Sequence, residues 1–137
     1  LAEAMRLASE VNKYLDVTAP WQAVKTDKNA AGRAIFTALK AIDSLKILLA
    51  PFLPFTSEQL NGFMGYEGSL FGRQYTQPVS DELGEHLVLR YDHSCATGKW
   101  EPSQLRPGQE LRQPSPLFRK LEEKIVAEER ARLGRPS

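Results

Sequence analysis

Four consecutive residues, Asp92-His93-Ser94-Cys95, bring together an acid, a base and two kinds of nucleophile. In a hydrolase, such groups serve as a nucleophile, a base that takes its proton and an acid that orients the base. Adjacent residues on a loop or strand do not converge as the members of a triad do. We therefore expect surface loop residues rather than a catalytic site at this position.

Metal binding is the second kind of chemistry that this loop suggests. His93 and Cys95 could supply two zinc ligands, and His86 could supply a third. A structural zinc site usually needs four ligands, which come in pairs with a recognisable spacing. The sequence therefore predicts no metal site, and no glycine-rich phosphate loop follows a predicted strand.

Trp21 offers a third kind of chemistry, the stacking of an aromatic ring on a ligand. It follows Pro20 at the end of a run whose apolar spacing predicts an amphipathic helix. The residue before a proline is pushed out of the α region, so this helix should stop near Thr18, with Pro20 in the first turn of a new short helix. Spacing alone favours a packing wedge between helices for Trp21 over a ligand platform.

A long helix is predicted to follow this elbow. Asp27 can cap a helix over residues 28 to 50. Its broad apolar face consists of Ala31, Ile35, Ala38, Leu39, Ile42, Leu45, Leu48 and Leu49.

A shorter helix should begin after the prolines of residues 51–54. Thr56, with Gln59 three residues later, predicts a capping-box start for a helix that runs to about Met64 and is closed by Gly65. Short connections of this kind predict that the helices pack as antiparallel neighbours. Residues 1–65 are thus predicted to form a helical core.

Residues 66–113 differ in character, with scattered glycines, prolines and polar residues. Only the run from His86 to Tyr91 has the pattern of a short extended segment. We expect a mostly irregular connection. Because a structureless stretch of this length is unusual inside a compact domain, we also expect part of it to be an insertion.

The last part of the chain, residues 114–137, is predicted to contain one more helix. Pro114 and Pro116 precede it, and it should run from about Leu117 to Leu133 with its apolar side chains inward. Four residues supply that apolar face: Leu117, Leu121, Ile125 and Val126. Glu128 and Arg132 have the spacing of a favourable i,i+4 pair.

Composition indicates one ordinary domain. A chain of 137 residues can bury about two thirds of the surface that its unfolded form exposes. The single cysteine, Cys95, excludes an internal disulfide framework, and no apolar run reaches the roughly 18 residues of a membrane span. We expect a cytoplasmic protein without a membrane partner. Because Leu1 lies inside a helical stripe and is not a methionine, we also expect a fragment of a longer protein.

The charge balance limits which nucleic-acid interactions are favoured. The formal net charge is +1, whereas a dedicated nucleic-acid binder usually shows a clearly basic face. Reading a few unstacked bases needs no large positive field, because stacking and hydrogen bonds to base edges suffice. Local cations flank the elbow, and a solvated surface and phosphate contact explain them equally well: Lys13, Lys25, Lys28 and Arg33.

Three patches in order along the chain resemble the anticodon-binding domain of methionyl-tRNA synthetase. Residues 12–21 read N-x-Y-x-D-x-x-x-P-W, and Pro51-Phe52-Leu53-Pro54 follows a long predicted helix. Further along, Gly108-Gln109-Glu110-Leu111 and the run 114–122, PSPLFRKLE, resemble the segment that leads into the closing helix of that family. Trp100 resembles an aromatic residue ahead of that segment, which would make residues 69–99 the insertion. The combination is specific, although each patch alone is weak.

The resemblance implies a fold and a function. The fold would be the all-α helical bundle of class I aminoacyl-tRNA synthetases, with a long irregular connection and a C-terminal helix. The parent enzyme would join methionine to its tRNA with ATP and Mg²⁺, while this domain reads the CAU anticodon. Its partners would be the anticodon loop and the catalytic domain of the same chain. This fragment would hold no cofactor and no catalytic site.

Individual residues acquire roles from the same resemblance. Trp21 matches the tryptophan that stacks on an anticodon base, and Pro20 fixes its approach. Asn12 and Asp16 match polar positions on the preceding helix that shape the site. We add Lys25 as a phosphate contact, on the basis of its charge and position. The family also uses an asparagine and an arginine on a helix that would precede this sequence.

Three other functions stay open on the sequence. The chain could be a helical module that docks protein partners and keeps Trp21 in its core. It could be a small hydrolase built around His93 and Cys95. It could also be the corresponding domain of another class I synthetase.

Overall fold

The apolar spacing of the first half of the chain is realised as helices in the computed structural model, which describes residues 1–133. The order of elements is α1 (Ala2–Thr18), α2 (Pro20–Ala23), α3 (Lys28–Leu49), α4 (Pro54–Phe63), β1 (Arg73–Asp81), β2 (Gly84–Asp92) and α5 (Glu123–Arg132). No helix among residues 1–133 is long and apolar enough to cross a membrane.

Helices α1, α2 and α3 confirm the predicted boundaries. α1 stops at Thr18, and Pro20 occupies the first turn of α2. Asp27 caps α3, because its Oδ1 accepts a hydrogen bond of 2.9 Å from the backbone N–H of Ala30. This acceptor satisfies one of the backbone donors that the first helical turn leaves without a partner.

The start of α4 differs from the prediction, but its end agrees. The helix begins at Pro54, and no side chain caps it, so the predicted capping box at Thr56 is wrong. A proline at the first helical position needs no hydrogen-bond partner for its nitrogen, so the helix can begin there. At the other end, Gly65 adopts φ 80° and donates to the Gly62 carbonyl, while Tyr66 donates to the Asn61 carbonyl. This is a Schellman motif, which requires the positive φ that glycine tolerates.

A small apolar core joins α1 to α3. Val11, Ala38 and Leu45 are buried at its centre. Partly buried side chains surround them: Leu7, Ala8, Tyr14, Leu15, Ala41, Ile42 and Leu48. Ile35, which was expected on the apolar face of α3, is 46% exposed.

The predicted all-α class is wrong, because residues 73–92 form an antiparallel β-hairpin. The fold is therefore mixed, and within the region 66–113 two strands stand where only one short extended run was predicted. The extended run predicted from His86 to Tyr91 lies within β2, but β1 went unrecognised. β1 is mostly polar and contains Pro78, which argues against a strand in the interior of a sheet. Because most residues on both faces of the hairpin are exposed, neither strand needed an apolar alternation to fold.

The hairpin is tied to the helical part at its base. Thr97 and Gly98 donate backbone hydrogen bonds to the carbonyls of Ser69 and Leu70, at 2.9 and 3.0 Å. The buried Leu70 donates in turn to the Glu58 carboxylate on α4, at 2.9 Å. These bonds fix where both ends of the hairpin leave the bundle.

The last helix is shorter than predicted. α5 begins at Glu123 rather than Leu117 and has no buried residue, so the expected inward face is also wrong. Leu121 is 67% exposed and Val126 is 47% exposed. The predicted Glu128–Arg132 pair is replaced by the pairs Lys124–Glu128 and Glu129–Arg132. Residues 134–137, the end of the predicted C-terminal region, lie outside the described residues. The division of the chain at residues 65 and 113 stays a prediction.

A buried charged cluster joins α3 to α4 and to the residues that follow it. The Lys46 ammonium lies 2.8 Å from Asp43 Oδ1 and donates to Asn61 Oδ1 at 2.8 Å. Tyr66 donates its hydroxyl to Asp43 Oδ2 at 2.8 Å, and the ammonium lies 4.1 Å from the centre of the Tyr66 ring. Both charged side chains are only 4% exposed. The contact between Lys46 and Asp43 Oδ1 is an ion pair by distance but departs from hydrogen-bond geometry.

The surroundings of the cluster shift two pKa values in opposite directions. Burial raises the pKa of Asp43, but interactions with Lys46, Ser103 and Tyr66 outweigh it and hold that pKa below its ordinary value. Burial and the adjacent Asp43 carboxylate raise the pKa of Tyr66. The cluster therefore favours an ionised Asp43 beside a neutral Tyr66.

We expect Asp43→Ala to lower the free energy of unfolding by about 3 to 5 kcal/mol, because it leaves the Lys46 ammonium buried without its counter-ion. Urea denaturation measures this loss. The matched control is Lys13→Ala, which breaks the exposed i,i+3 pair with Glu10 and should change stability little. Equal losses of unfolding free energy for the two substitutions would show that the buried Asp43–Lys46 pair stabilises the fold no more than an exposed pair does.

Stability should also depend on the protonation of Asp43. Because its pKa is lower in the folded than in the unfolded state, its contribution is present above the ordinary value of 3.8 and is lost as pH falls through the folded value. Urea denaturation from about pH 5 to about pH 2 should show this loss. The profile of Asp43→Asn should be flatter, and parallel profiles for the two proteins would contradict the assignment.

Candidate nucleic-acid interface

The elbow between α1 and α2 is built from backbone geometry. Ala19 adopts φ 37° and ψ 58°, the left-handed conformation that ends α1, and its N–H donates to the Leu15 carbonyl at 2.9 Å. Among residues 1–133, it is the one non-glycine residue with positive φ. The Ala19 carbonyl accepts from Gln22 and Ala23, at 2.8 and 3.0 Å, so the same residue begins α2. One left-handed residue thus sets the angle at which α2 leaves α1.

This elbow presents Trp21 to the solvent. Pro20 is buried, whereas Trp21 is 55% exposed. The exposed fraction excludes a fully buried wedge and leaves a substantial part of the indole surface accessible. An accessible ring on a short, fixed helix can stack on a planar ligand without unfolding its surroundings.

The other predicted site residues are also exposed. Asn12 and Asp16 are one helical turn apart and therefore share one side of α1. Lys25 is exposed in the turn that follows α2. Within residues 1–133, no hydrogen bond or ion pair links the side chains of Asn12, Asp16, Trp21 and Lys25. They are thus available to a ligand as separate groups on the surface around the elbow.

The cations near the elbow differ in their surroundings. The Lys13 ammonium lies 2.9 Å from Glu10 Oε1, and this hydrogen bond lowers the pKa of Glu10. Lys28 and Arg33 lie exposed on the first turns of α3. Since surface pairs such as Glu10–Lys13 are weak, Lys13 also remains accessible to a phosphate.

The loop suggested for hydrolytic or metal chemistry does not assemble a site. His86 lies near the start of β2 and His93 directly after its end at Asp92. At about 3.3 Å per residue, the six steps from His86 to Asp92 span about 20 Å. His86 instead lies 3.7 Å from Asp81 across the hairpin. Asp92 accepts from the Ser94 N–H, and hydrogen bonds from Ser94 lower its pKa. Among residues 1–133, no group of three His, Cys, Asp or Glu side chains is placed to hold a metal ion.

A polar cavity lies next to the buried cluster and was not predicted from the sequence. It has a volume of about 290 Å³ and is lined by Asp43, Lys46, Asn61 and Tyr66, among other residues. The sequence feature that could have indicated this cavity is the pair Asp43 and Lys46, an acid and a base three residues apart within the apolar part of α3. Asp43, Lys46, Asn61 and Tyr66 already pair with one another, so this side of the cavity stabilises the fold.

Comparison with known proteins identifies the class of this helical module. Residues 2–88 match the family described as the anticodon binding domain of methionyl tRNA ligase. The match includes α1 to α4, the elbow and most of the hairpin. The chain belongs to this family of anticodon-binding domains.

Individual relatives carry the name of one enzyme. The chain is 53% identical over 133 residues to a methionine–tRNA ligase of Thermomicrobium roseum, a match that covers 96% of this chain and 23% of that protein. It is 47% identical to the methionine–tRNA ligase of Chloroflexus aggregans, with 97% and 22% covered. No solved structure shows significant similarity. The chain thus spans less than a quarter of the length of these relatives.

The exposure of Trp21 can be measured by acrylamide quenching of its fluorescence. In a Trp100→Phe protein, Trp21 is the sole tryptophan, and we expect quenching between that of a free and a buried indole, since the ring is 55% exposed. In the matched Trp21→Phe protein, Trp100 is 73% exposed and should be quenched more. Resistance of Trp21 to quenching would mean that the ring is not available to a ligand.

Proposed function

We propose that this domain binds the CAU anticodon loop of tRNA(Met) as part of a longer methionine–tRNA ligase. That ligase joins methionine to the tRNA in the cytoplasm, with ATP and Mg²⁺ used by the catalytic domain of the same chain. The observation that carries the proposal is the half-exposed Trp21 at an elbow whose angle is fixed by Ala19. Family membership supports anticodon binding over docking of an unrelated protein.

Stacking on Trp21 supplies affinity in this mechanism. Anticodon bases that leave their own stack expose their faces, and a base that settles on the indole regains stacking energy of about 1 to 3 kcal/mol. The buried Pro20 and the helical turn of α2 hold the ring in place before binding. A ring that is already ordered loses little conformational entropy when the base arrives.

Discrimination between bases must come from hydrogen bonds to their edges, because every base has a face that stacks. Asn12 offers an amide that donates and accepts, and Asp16 offers acceptors, on the side of α1 that remains exposed. The asparagine and arginine that the family places on an earlier helix would complete the reading of the triplet. We therefore expect this chain alone to bind weakly and to discriminate poorly.

Charge supplies the remaining part of the affinity. Lys25, Lys28 and Arg33 follow the elbow along the chain and are exposed, so we expect them to contact the phosphates of a loop that is bound at Trp21. With a net charge of +1, the domain has little attraction for duplex nucleic acid in general. A few local cations next to one aromatic ring suit a short single-stranded loop.

An anticodon stem-loop titration tests the proposal. In the Trp100→Phe background, a CAU stem-loop should quench Trp21 fluorescence. Trp21→Ala in the wild-type background should weaken binding by about 5- to 150-fold, which corresponds to the loss of one stacked base. The matched control, made in the 137-residue chain, is Trp100→Ala, which removes another exposed indole ring outside the elbow and should leave the affinity unchanged.

The longer ligase provides the test of specificity. With the full chain, replacing the CAU triplet in the stem-loop should weaken binding. Equal affinity for CAU and for substituted triplets, or equal effects of Trp21→Ala and Trp100→Ala, would overturn anticodon reading by this elbow.

A further inference from the structure

One face of the hairpin carries an apolar stripe. Leu87, Leu89 and Tyr91 alternate along β2 and therefore point to the same side, with exposed fractions of 69%, 65% and 52%. Pro78 lies opposite Leu87 in β1 and adds to this side. A two-stranded sheet is marginally stable by itself, so an uncovered apolar face is an unusual feature for a surface hairpin.

The stripe continues into a cleft at the base of the hairpin. Tyr91 lines both, and its hydroxyl accepts a hydrogen bond of 2.6 Å from the Gly72 N–H. The cleft has a volume of about 340 Å³, enough for a large side chain, and reaches the end of α3. Its lining is mainly apolar: Ile47, Ala50, Pro51, Leu70, Phe71 and Trp100. The stripe of Leu87, Leu89 and Tyr91 together with this cleft is called the hairpin face below.

The hairpin face lies far from the elbow that presents Trp21. α3 begins just after the elbow and ends next to Ala50 and Pro51, which line the cleft. Its 22 residues extend over about 33 Å. A loop of RNA bound at Trp21 therefore leaves the hairpin face free.

The charge of the hairpin argues against RNA as its partner. Residues 73–92 contain four carboxylates and two guanidinium groups, and three of the carboxylates surround the turn. These are Asp81, Glu82 and Glu85. Phosphates would be repelled there, whereas a protein surface with an apolar centre and basic flanks would be complementary.

The two outer edges of the hairpin differ in the backbone hydrogen-bonding groups that they offer to a partner. In a hairpin with a two-residue turn, the residues that flank the turn form a hydrogen-bonded pair, so Pro78 and Leu87 form a pair whose backbone groups face outward. Proline has no N–H to offer, which blocks the outer edge of β1. The outer edge of β2 keeps the free N–H and C=O groups of Leu87 and Leu89, on the strand that carries the apolar stripe.

We infer that the hairpin face docks onto the remainder of the same ligase chain, against an apolar surface with basic flanks. This inference rests on the proposed function, because it takes the domain to be part of a ligase. The matched relatives have more than three quarters of their length outside the region that this chain covers. Docking at the end opposite Trp21 would hold the domain on the enzyme while the elbow stays open to RNA.

Photo-crosslinking in the full-length ligase tests the inference. The photoreactive residue p-benzoylphenylalanine replaces Leu89 in one protein and Val17, which is 86% exposed on α1, in the control. Mass spectrometry of the illuminated proteins should locate crosslinks from position 89 in the ligase sequence outside these 137 residues. Position 17 should give few or none of these crosslinks.

Thermal unfolding of the full-length ligase gives a second measurement. Leu87→Ser combined with Leu89→Ser should lower its unfolding midpoint, because docked apolar surface is lost. Gln77→Ser, a matched change on the opposite face of the hairpin, should not. In the 137-residue chain alone, the double substitution should have little effect, since both leucines are exposed there.

Several results would overturn the docking. They are crosslinks from position 89 that reach only this domain, a second copy of the chain or bound tRNA, the absence of any crosslink, and equal midpoints for the two sets of variants. Failure of the proposed function is recognised separately, because it would appear as lost CAU preference in stem-loop binding while crosslinks from position 89 persist.

Discussion

The buried ion pair between Lys46 and Asp43 constrains how α4 and the residues just after it pack against α3. When α3 and α4 pack, the ammonium leaves water, and that cost is offset only while Asp43, Asn61 and the ring of Tyr66 stay in place. The apolar core between α1 and α3 is small, and no large side chain among residues 1–133 is completely buried. A few polar contacts therefore fix α4, and with it the base of the hairpin that Glu58 holds.

The molecule separates two tasks at opposite ends of α3. At one end, a left-handed residue, Ala19, turns the chain and leaves Trp21 half exposed among a few lysines and arginines. At the other end, an apolar cleft and an acidic hairpin meet next to Pro51. A rigid helix of 22 residues keeps the two ends apart. The same chain can thus present an aromatic ring to RNA and an apolar surface to protein without competition between them.

Local signals were sufficient for α1, α2, α3, the elbow and the end of α4. Asp27, Pro20 and Gly65 act through backbone geometry that depends on near neighbours, so their roles were predictable from residue type. The hairpin was not predictable in the same way, since β1 is polar, contains Pro78 and gains its structure only by pairing with β2. The prediction for the C-terminal helix was wrong for a different reason. Its apolar residues suggest a buried face, but nothing among residues 1–133 covers that face.

The sequence by itself determined the family, helices α1 to α3, the end of α4 and the position of Trp21 at a turn. These follow from short motifs and from spacing, which the chain carries locally. Only the tertiary structure decided that Trp21 is half exposed, that Asp43 and Lys46 form a buried pair, and that residues 73–92 form a hairpin with an uncovered apolar side. The physical reason is that burial depends on which surfaces meet. Solvent is removed from a side chain by residues that are distant along the sequence, and no local pattern records them.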